Sequence, residues 1–367
     1  MTATSFDLWA PLVIAGIISA FLTPFAIWIA PKIGAMDIPK DNRRVHNKPM
    51  PRFGGIAIFA GMMISWGLFA GDAPAIKGAM AGTTIIYILG AVDDLKNVRP
   101  IIKFSGQVLG AAVAFAMGLR IQFITNWFSS GNMILGDVAC CVITILWLVA
   151  ITNAVNLIDG LDGLAAGIAA ISALCLAYVA YIHGQYMSTI AMMVVAGAAL
   201  GFLPYNFNPA KIFMGDGGSQ VLGFAIASIS IIGAVKSATL VVVLIPALVL
   251  GLPIFDTLMA IVRRTARHQS ISTADKEHLH HKILKAGFGQ RRAVMLMYSV
   301  SGVMGIIAVL YSRELYVECV GLLAVVVMIV GVILTDTGSN KVSIRGMRLI
   351  REDLSEADRI RNKKNKK

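Results

Sequence analysis

The chain is dominated by long apolar stretches that carry almost no charge. Eleven of them lie at 8–29, 53–70, 74–92, 104–119, 138–151, 163–182, 186–203, 217–235, 237–255, 293–312 and 315–335. Most approach the roughly 20 residues that a helix needs to cross the hydrocarbon core of a bilayer. Two are weaker candidates, because 74–92 contains Lys77 and 138–151 is short, although such runs can still span inside a bundle. The sequence therefore predicts an all-α polytopic membrane protein with about eleven transmembrane helices.

The composition excludes an ordinary soluble domain. Hydrophobic residues make up 57% of the chain, charged residues 14%, and the mean hydropathy is +0.76. In soluble domains about a quarter of the residues are charged. The four cysteines all lie in apolar stretches, which gives no indication of a disulfide framework.

The basic residues predict how the chain is oriented. If the first helix starts outside, the inner segments are 30–52, 93–102, 152–162, 204–216, 256–292 and the tail from 336. These segments hold 27 of the 32 Lys and Arg residues, so the positive-inside rule favours an outer N-terminus and a cytoplasmic C-terminus. The net charge of +12 then follows from topology. It does not indicate nucleic acid, for which a basic groove interleaved with aromatic residues would be expected.

A polar segment at 152–164 lies between two of the apolar stretches. Its side chains recur every three residues and two glycines follow the aspartates; the residues are Asn153, Asn156, Asp159, Gly160, Asp162 and Gly163. Carboxylate and amide oxygens that project from one side of a turn suit Mg²⁺ and phosphate. The alternative is that they cap the helix that starts near Gly163, but one cap needs only one such residue.

Two further acidic elements are candidate sites. Asp93 and Asp94 are adjacent, with Lys103 close behind; neighbouring carboxylates repel, which is tolerated where a cation or a proton transfer requires them. The alternative is a solvated helix end. Asp216 lies between glycines at the start of a helix, where a carboxylate and backbone N–H groups can face one phosphate–metal unit. A plain N-cap is the alternative there.

Basic and histidine residues accompany these acids. Arg52 ends a basic, proline-containing loop whose partner is either anionic lipid headgroups or a phosphate-bearing substrate. Arg263 and Arg264 follow Asp256, with which an ion pair is an equally good explanation. The tract His278, His280 and His281 fits the recognition of sugar hydroxyls and phosphate better than a zinc site, because no cysteine supports zinc.

Every one of these elements falls in an inner segment or at an inner helix end. A transporter would place polar groups near the bilayer midplane, and a scaffold would not need paired carboxylates. The pattern is instead typical of an enzyme that joins a cytosolic, phosphorylated, water-soluble substrate to a lipid acceptor in the membrane.

The same elements resemble the family of polyprenyl-phosphate N-acetylhexosamine-1-phosphate transferases. The resemblance covers essentially the whole chain and rests on five motifs in the family's order. They are Pro51-Arg52-x-Gly54-Gly55, Asp93-Asp94-x-x-Asn97, Asn153-x-x-Asn156-x-x-Asp159-Gly160-x-Asp162-Gly163, Phe213-Met214-Gly215-Asp216 and His278-x-His280-His281. Two features are distinctive: Asn97 stands where many relatives have Asp, and the His-x-His-His form is similar to the branch that acts on UDP-N-acetylglucosamine.

The resemblance implies that undecaprenyl phosphate attacks the β-phosphorus of UDP-GlcNAc, giving undecaprenyl-diphospho-GlcNAc and UMP. It implies Mg²⁺, replaceable by Mn²⁺, as cofactor, and a bacterial plasma membrane with the active site facing the cytoplasm. The implied roles are Mg²⁺ binding by Asp216 and Asn156; phosphate contacts by Arg52, Lys103, Arg263 and Arg264; a base at Asp93 supported by Asp94; nucleotide-side contacts by Asn153, Asp159 and Asp162; and sugar-phosphate recognition by His278, His280 and His281.

Several alternatives stay open. The same chemistry could use another UDP-N-acetylhexosamine, and the product could enter teichoic acid, O-antigen or another polymer. A lipid-linked-precursor transporter is a rival of a different class, and a prenyltransferase is a rival because Asp-Asp-x-x-Asp-like motifs bind allylic diphosphate. A homodimer is compatible with the sequence.

Two regions are expected along the chain. Residues 1–335 form a transmembrane catalytic domain with cytoplasmic active-site loops. Residues 336–367 form a basic cytoplasmic tail in which Met347, Ile350 and Leu354 share a stripe, as in an amphipathic helix on the inner leaflet.

Overall fold

The computed structural model describes residues 5–38, 49–71, 73–125, 132–234, 247–266, 283–284, 287, 289–325 and 328. The chain divides into a first compact unit that ends at Cys319 and a second that begins at Val320. The site described below belongs to the first unit. The expected tail at 336–367 lies outside the described residues.

The described part of the first unit is almost entirely helical. In chain order its helices are α1 (Ser5–Ile33), α2 (Gly55–Phe69), α3 (Pro74–Lys96), α4 (Pro100–Ala116), α5 (Asp137–Ile158), α6 (Leu164–Ile182), α7 (Tyr186–Asn206), α8 (Gly215–Ala234), α9 (Gly251–Ala266) and α10 (Gln290–Ser312). A shorter apolar helix, α11 (Tyr316–Val325), follows. Proline begins α3 and α4, where its missing N–H costs no helical hydrogen bond.

Six described helices are long and apolar enough to cross a membrane: Leu8–Ile33 within α1, then α3, α5, α6, α7 and α10. They include both stretches that the sequence marked as weak candidates. The helices α2, α4 and α11 are apolar but shorter. The expectation of a helical, polytopic membrane protein is thus confirmed, whereas the number of eleven spans and the orientation of the termini stay predictions.

The helices run further into the polar segments than the charge pattern suggested. Residues 93–102 and 152–162 were expected to be inner loops, but α3 continues to Lys96 and α5 to Ile158. The reason is that their polar side chains are bound within the protein and need no exposed loop. Asn97 ends α3 in the left-handed conformation, with φ of 50°, which asparagine adopts more readily than most residues.

Close helix contacts rest on small residues. Helix α1 packs on α7 and α2, α3 on α8 and α4, α5 on α8 and α4, and α6 on α7 and α10. Where α1 crosses α7, a Cβ added at Gly197 or Gly201 would clash with the backbone of α1 at Leu12 and Gly16. Small residues allow helix backbones to approach in a membrane, where apolar burial alone does not drive association.

Two short antiparallel hairpins complete the described fold. β1 (Met36–Asp37) pairs with β2 (Met50–Pro51), and β3 (Phe123–Thr125) pairs with β4 (Asn132–Ile134). The first hairpin lies directly before α2, and its second strand ends next to Arg52, a residue of the site described below.

Candidate active site

The site forms where the C-terminal end of α3 meets the N-terminal end of α8. A Cβ added at Gly90 would lie 2.5 Å from the Cα of Gly217, so the two backbones can approach this closely only because Gly90 has no side chain. The Asp94 carboxylate accepts hydrogen bonds from the backbone N–H groups of Asp216, at 2.8 Å, and Gly217, at 3.0 Å. A negative charge at the first turn of a helix is stabilised by its unpaired N–H groups and its dipole.

A short backbone ladder brings Arg52 to the same point. The N–H of Phe213 donates to the carbonyl of Pro51, and the N–H groups of Gly54 and Gly55 donate to the carbonyls of Phe213 and Met214. The segment before α2 is thus fixed against the segment before α8. This pairing explains why the Pro-Arg-x-Gly-Gly element and the Phe-Met-Gly-Asp element act as one structure.

Five side chains then form what we call the charged cluster: Arg52, Asp93, Asp94, Lys103 and Asp216. Arg52 bridges two carboxylates, with Nε 3.1 Å from Asp94 Oδ1 and Nη2 2.6 Å from Asp216 Oδ1. Lys103 bridges two as well, with Nζ 2.6 Å from Asp93 Oδ2 and 2.7 Å from Asp216 Oδ2. Asp216 is therefore the shared centre of the cluster, and each of its two carboxylate oxygens binds a different basic side chain.

Within the cluster, the carboxylates of Asp93 and Asp94 are buried, whereas the basic side chains are partly exposed to solvent. The side chains of Asp93 and Asp94 are 3% and 2% exposed, whereas those of Arg52 and Lys103 are 23% and 26% exposed. Neither aspartate is therefore part of a solvated helix end. An anion that arrives from solvent would meet the two cations first.

The cluster has the chemistry of a divalent-cation site. One oxygen from each of Asp93, Asp94 and Asp216 lies within 4.8 Å of the other two. These three carboxylates face only two basic side chains within the cluster, which leaves a net negative charge. Hard oxygen donors with excess negative charge are what Mg²⁺ requires, so the residues present fit the implied cofactor.

Asn156 was predicted to share the metal with Asp216, and that assignment stays a prediction. Its Oδ1 accepts a hydrogen bond of 2.6 Å from the Ser219 hydroxyl, one turn along α8 from Asp216. The same hydroxyl lies 3.0 Å from the carbonyl of Gly215. Ligation of a metal by Asn156 through this oxygen would have to share or replace the Ser219 contact.

Asp159 lies at the end of α5 and interacts electrostatically with the cluster. Burial, with a further contribution from the negative charge of Asp216, raises its pKa to about 7, while Arg52 opposes the shift. Burial alone would lower the pKa of Arg52, but the nearby carboxylates, led by Asp94 and Asp216, reverse this and raise it. Arg52 therefore stays charged while Asp159 can change its charge near neutral pH.

Two other predicted residues bind within the protein. The Asn153 amide donates to Gln107 Oε1 at 2.7 Å and to the carbonyl of Val149 at 2.8 Å. Asp162 Oδ2 accepts from the Asn208 amide at 2.9 Å and from the N–H of Ala210 at 3.1 Å. Asp162 therefore anchors the loop between α7 and α8, and its predicted contact with a nucleotide stays a prediction.

The remaining predicted residues cannot be placed around the cluster. Arg263 and Arg264 lie in α9, but their side chains are outside the described part of the chain. The tract His278, His280 and His281 lies outside the described residues altogether. Their roles stay predictions.

Sequence reasoning missed several polar residues that support the site. Gln107 and Gln220 lie in apolar helices and are almost completely buried, and Ser219 and Asn206 are buried as well. A helical spacing of four was the available signal, because Gln107 follows Lys103 and Gln220 follows Asp216 by one turn on the same face.

Fold and site together define an integral membrane protein with a charged, oxygen-rich site built at the ends of its helices. Residues 76–234 match the family described as "Glycosyl transferase family 4". The chain is 39% identical over 305 residues to the "Probable undecaprenyl-phosphate N-acetylglucosaminyl 1-phosphate transferase" of Bacillus subtilis (strain 168), covering 81% of this chain and 84% of that protein.

Two other relatives are similar over the same extent. The "Decaprenyl-phosphate N-acetylglucosaminephosphotransferase" of Mycolicibacterium smegmatis is 35% identical over 326 residues, which is 80% of each chain. The "Undecaprenyl-phosphate alpha-N-acetylglucosaminyl 1-phosphate transferase" of Escherichia coli (strain K12) is 28% identical over 299 residues, covering 80% of this chain and 81% of that protein. The chain belongs to glycosyl transferase family 4.

Proposed function

We propose that the protein transfers GlcNAc-1-phosphate from UDP-GlcNAc to undecaprenyl phosphate, giving undecaprenyl-diphospho-GlcNAc and UMP. The names of the Bacillus and Escherichia relatives support the acceptor and the transferred group. The observation that carries the proposal is the charged cluster, where two cations and three carboxylates meet at one end of the helix bundle.

The reaction is a phosphoryl transfer between two anions. An oxygen of the lipid phosphate forms a bond to the β-phosphorus, and the bond from that phosphorus to the oxygen bridging to the α-phosphate breaks, so that UMP leaves with the electron pair. Mg²⁺, held by Asp93, Asp94 and Asp216, would neutralise charge on the diphosphate. Positively charged side chains must do the rest, because both substrates repel each other.

Arg52 and Lys103 suit this task. Each is held by two carboxylates and each exposes about a quarter of its side chain. A divalent cation bound at the Asp216 carboxylate would weaken its hold on both basic side chains, which would then be available to phosphate oxygens. Arginine binds phosphate through paired N–H groups and lysine as a point charge, so the two serve different contacts.

The contacts of Asp93 favour a role in holding Lys103 and the metal over the predicted role as base. Asp93 Oδ1 accepts the N–H of Val98 at 2.6 Å, and Oδ2 binds Lys103 at 2.6 Å. Both contacts stabilise the ionised carboxylate, so protonation of Asp93 would weaken them. A phosphate whose second pKa is near 6 is largely deprotonated at neutral pH, so the reaction needs little help from a base.

The proposed setting is the bacterial plasma membrane, with the cluster facing the cytoplasm. The lipid acceptor then reaches the site from the bilayer and the nucleotide sugar from the cytosol. The basic residues of the inner segments support this orientation.

The test is to incubate the purified protein with undecaprenyl phosphate, Mg²⁺ and a panel of UDP-sugars, and to measure UMP release. UMP release that requires the lipid and is fastest with UDP-GlcNAc is the expected result. A stronger preference for another UDP-N-acetylhexosamine would identify that sugar nucleotide as the donor. The absence of lipid-dependent UMP release with every donor would refute the proposed function.

A further inference from the structure

Beneath the charged cluster, three amide side chains from three helices form a continuous hydrogen-bonded chain. Gln107 comes from α4, Asn153 from α5 and Gln220 from α8. The Asn153 amide donates to Gln107 Oε1 at 2.7 Å, Gln107 Nε2 donates to Gln220 Oε1 at 3.0 Å, and Gln220 Nε2 lies 3.4 Å from Asp216 Oδ2. We call these three residues the amide relay.

The residues at both ends of the relay require the same direction of hydrogen-bond donation along it. The Asp216 carboxylate can only accept, so Gln220 must present its NH₂ group there and its carbonyl oxygen to Gln107. Gln107 must then donate to Gln220 and accept from Asn153. At the other end the Asn153 amide also donates to the carbonyl of Val149, which can only accept, at 2.8 Å. Each amide therefore has one satisfactory orientation.

The relay is built in the apolar part of the protein. Gln107 is 2% exposed and Gln220 is fully buried. A buried amide without a partner is costly, which opposes any rearrangement that breaks this chain of donors. A second contact, from Gln107 Nε2 to Asn153 Oδ1 at 3.3 Å, closes the pair between α4 and α5.

We propose that Gln220, Gln107 and Asn153 are positioning residues, an amide relay that orients the Asp216 carboxylate for binding a divalent cation. Gln220 acts on Asp216 directly, and Gln107 and Asn153 act through Gln220. This gives Asn153 a role other than the substrate contact that the resemblance implied. The proposal rests on the proposed function only in assuming that a divalent cation binds at Asp216.

The experiment measures Mn²⁺ binding to the purified full chain by electron paramagnetic resonance, without either substrate. Gln220→Met and Gln107→Met keep side-chain length but remove the amide. Gln220→Met should weaken Mn²⁺ binding about tenfold, the size expected when a hydrogen bond to a charged group is lost. Gln107→Met should weaken it less, because its effect passes through Gln220.

The double variant separates positioning from general packing. If Gln107 acts only through Gln220, the double variant should bind Mn²⁺ as Gln220→Met does. Losses that add, or an unchanged affinity in Gln220→Met, would overturn the proposal. Thr144→Val is the matched control: Thr144 is a buried residue of α5 that bonds within the protein, so its loss should lower thermal stability without changing Mn²⁺ affinity.

A variant with a shorter amide keeps the proposal testable if a methionine variant does not fold. Gln220→Asn keeps the amide group but withdraws it by one methylene, so Mn²⁺ binding should again weaken, and unchanged binding would overturn the proposal. The test is independent of the sugar donor. Lack of turnover by the wild-type protein would refute the proposed function, while a non-additive loss of Mn²⁺ binding would still support the relay.

Discussion

Replacing Asp216 with alanine should abolish turnover while leaving the fold largely intact. Asp216 is the carboxylate that Arg52 and Lys103 share, and it supplies one of the three oxygens of the candidate metal site. The variant would leave only two carboxylates for the cation. It would also leave Arg52 and Lys103 with one carboxylate each, Asp94 and Asp93, so that both basic side chains would be less firmly positioned.

The expected magnitudes follow from this geometry. Each basic side chain loses one of its two ion pairs, and since both are about a quarter exposed, each loss should cost up to about 1 kcal/mol of folding free energy. The combined loss is then up to about 2 kcal/mol. A loss of metal-assisted charge stabilisation should cost at least about 4 kcal/mol in the transition state, which is about a thousandfold in rate.

The assay pairs UMP release at saturating Mg²⁺ with thermal unfolding in the same detergent. Asp137→Ala is the control, because Asp137 is an exposed carboxylate in the first turn of α5, at the other end of that helix from Asn156. The control should keep both turnover and stability. Near-wild-type turnover by Asp216→Ala would refute the metal assignment, and a collapse in stability would show that the carboxylate is chiefly structural.

Three further outcomes are expected. In a background without the four native cysteines, Ser130→Cys and Ser272→Cys should label from opposite sides of intact cells, with position 130 outside; labelling of both from one side would contradict the predicted topology. His280→Ala should lower kcat/KM for UDP-GlcNAc by a factor that corresponds to one or two charge-assisted hydrogen bonds, about 1.5–3 kcal/mol each, and should change UMP affinity little. An equal loss for both ligands would contradict the assignment of His280 to the sugar phosphate. Because the pKa of Asp159 is about 7 in the folded protein against an ordinary 3.8, its ionisation opposes folding as pH rises between these values. Asp159→Asn should therefore unfold at a higher temperature than wild type at pH 8 in EDTA, with the difference vanishing below about pH 4; a difference independent of pH would contradict the assigned pKa.

Hydropathy was a sufficient guide to the six long apolar helices of the described residues, because the hydrocarbon core imposes both their length and their lack of charge. Even the weak candidates at 74–92 and 138–151 lie in the long helices α3 and α5. The boundaries were wrong where polar residues ended a stretch. Asp93 and Asn156 continue their helices, because each finds a partner inside the protein and does not require a loop.

The charged members of the site could be recognised because the charge pattern predicted all of them on one side of the membrane. The structure brings the five residues Arg52, Asp93, Asp94, Lys103 and Asp216 together. What the sequence could not show was the pairing among them. That pairing depends on the contact of Gly90 with Gly217, which only the packing of α3 on α8 reveals.

The two glutamines were missed for a different reason. A single glutamine within an apolar helix carries no charge, and its function depends on which neighbouring helix it faces. Gln107 and Gln220 gain significance only because α4, α5 and α8 meet below Asp216. Asn97, where the resemblance leads us to expect Asp, is an exposed C-cap outside the charged cluster.

The most direct measurement follows the β-phosphate of the donor. UDP-GlcNAc that carries ³²P in the β-phosphate and ¹⁴C in the sugar is incubated with the purified protein, Mg²⁺ and undecaprenyl phosphate, and the lipid is extracted. The proposed reaction requires both labels to enter the lipid in equal amounts, with one UMP released for each. Transfer of the sugar label alone, with ³²P remaining in UDP, would mean simple glycosyl transfer and would contradict the proposed reaction.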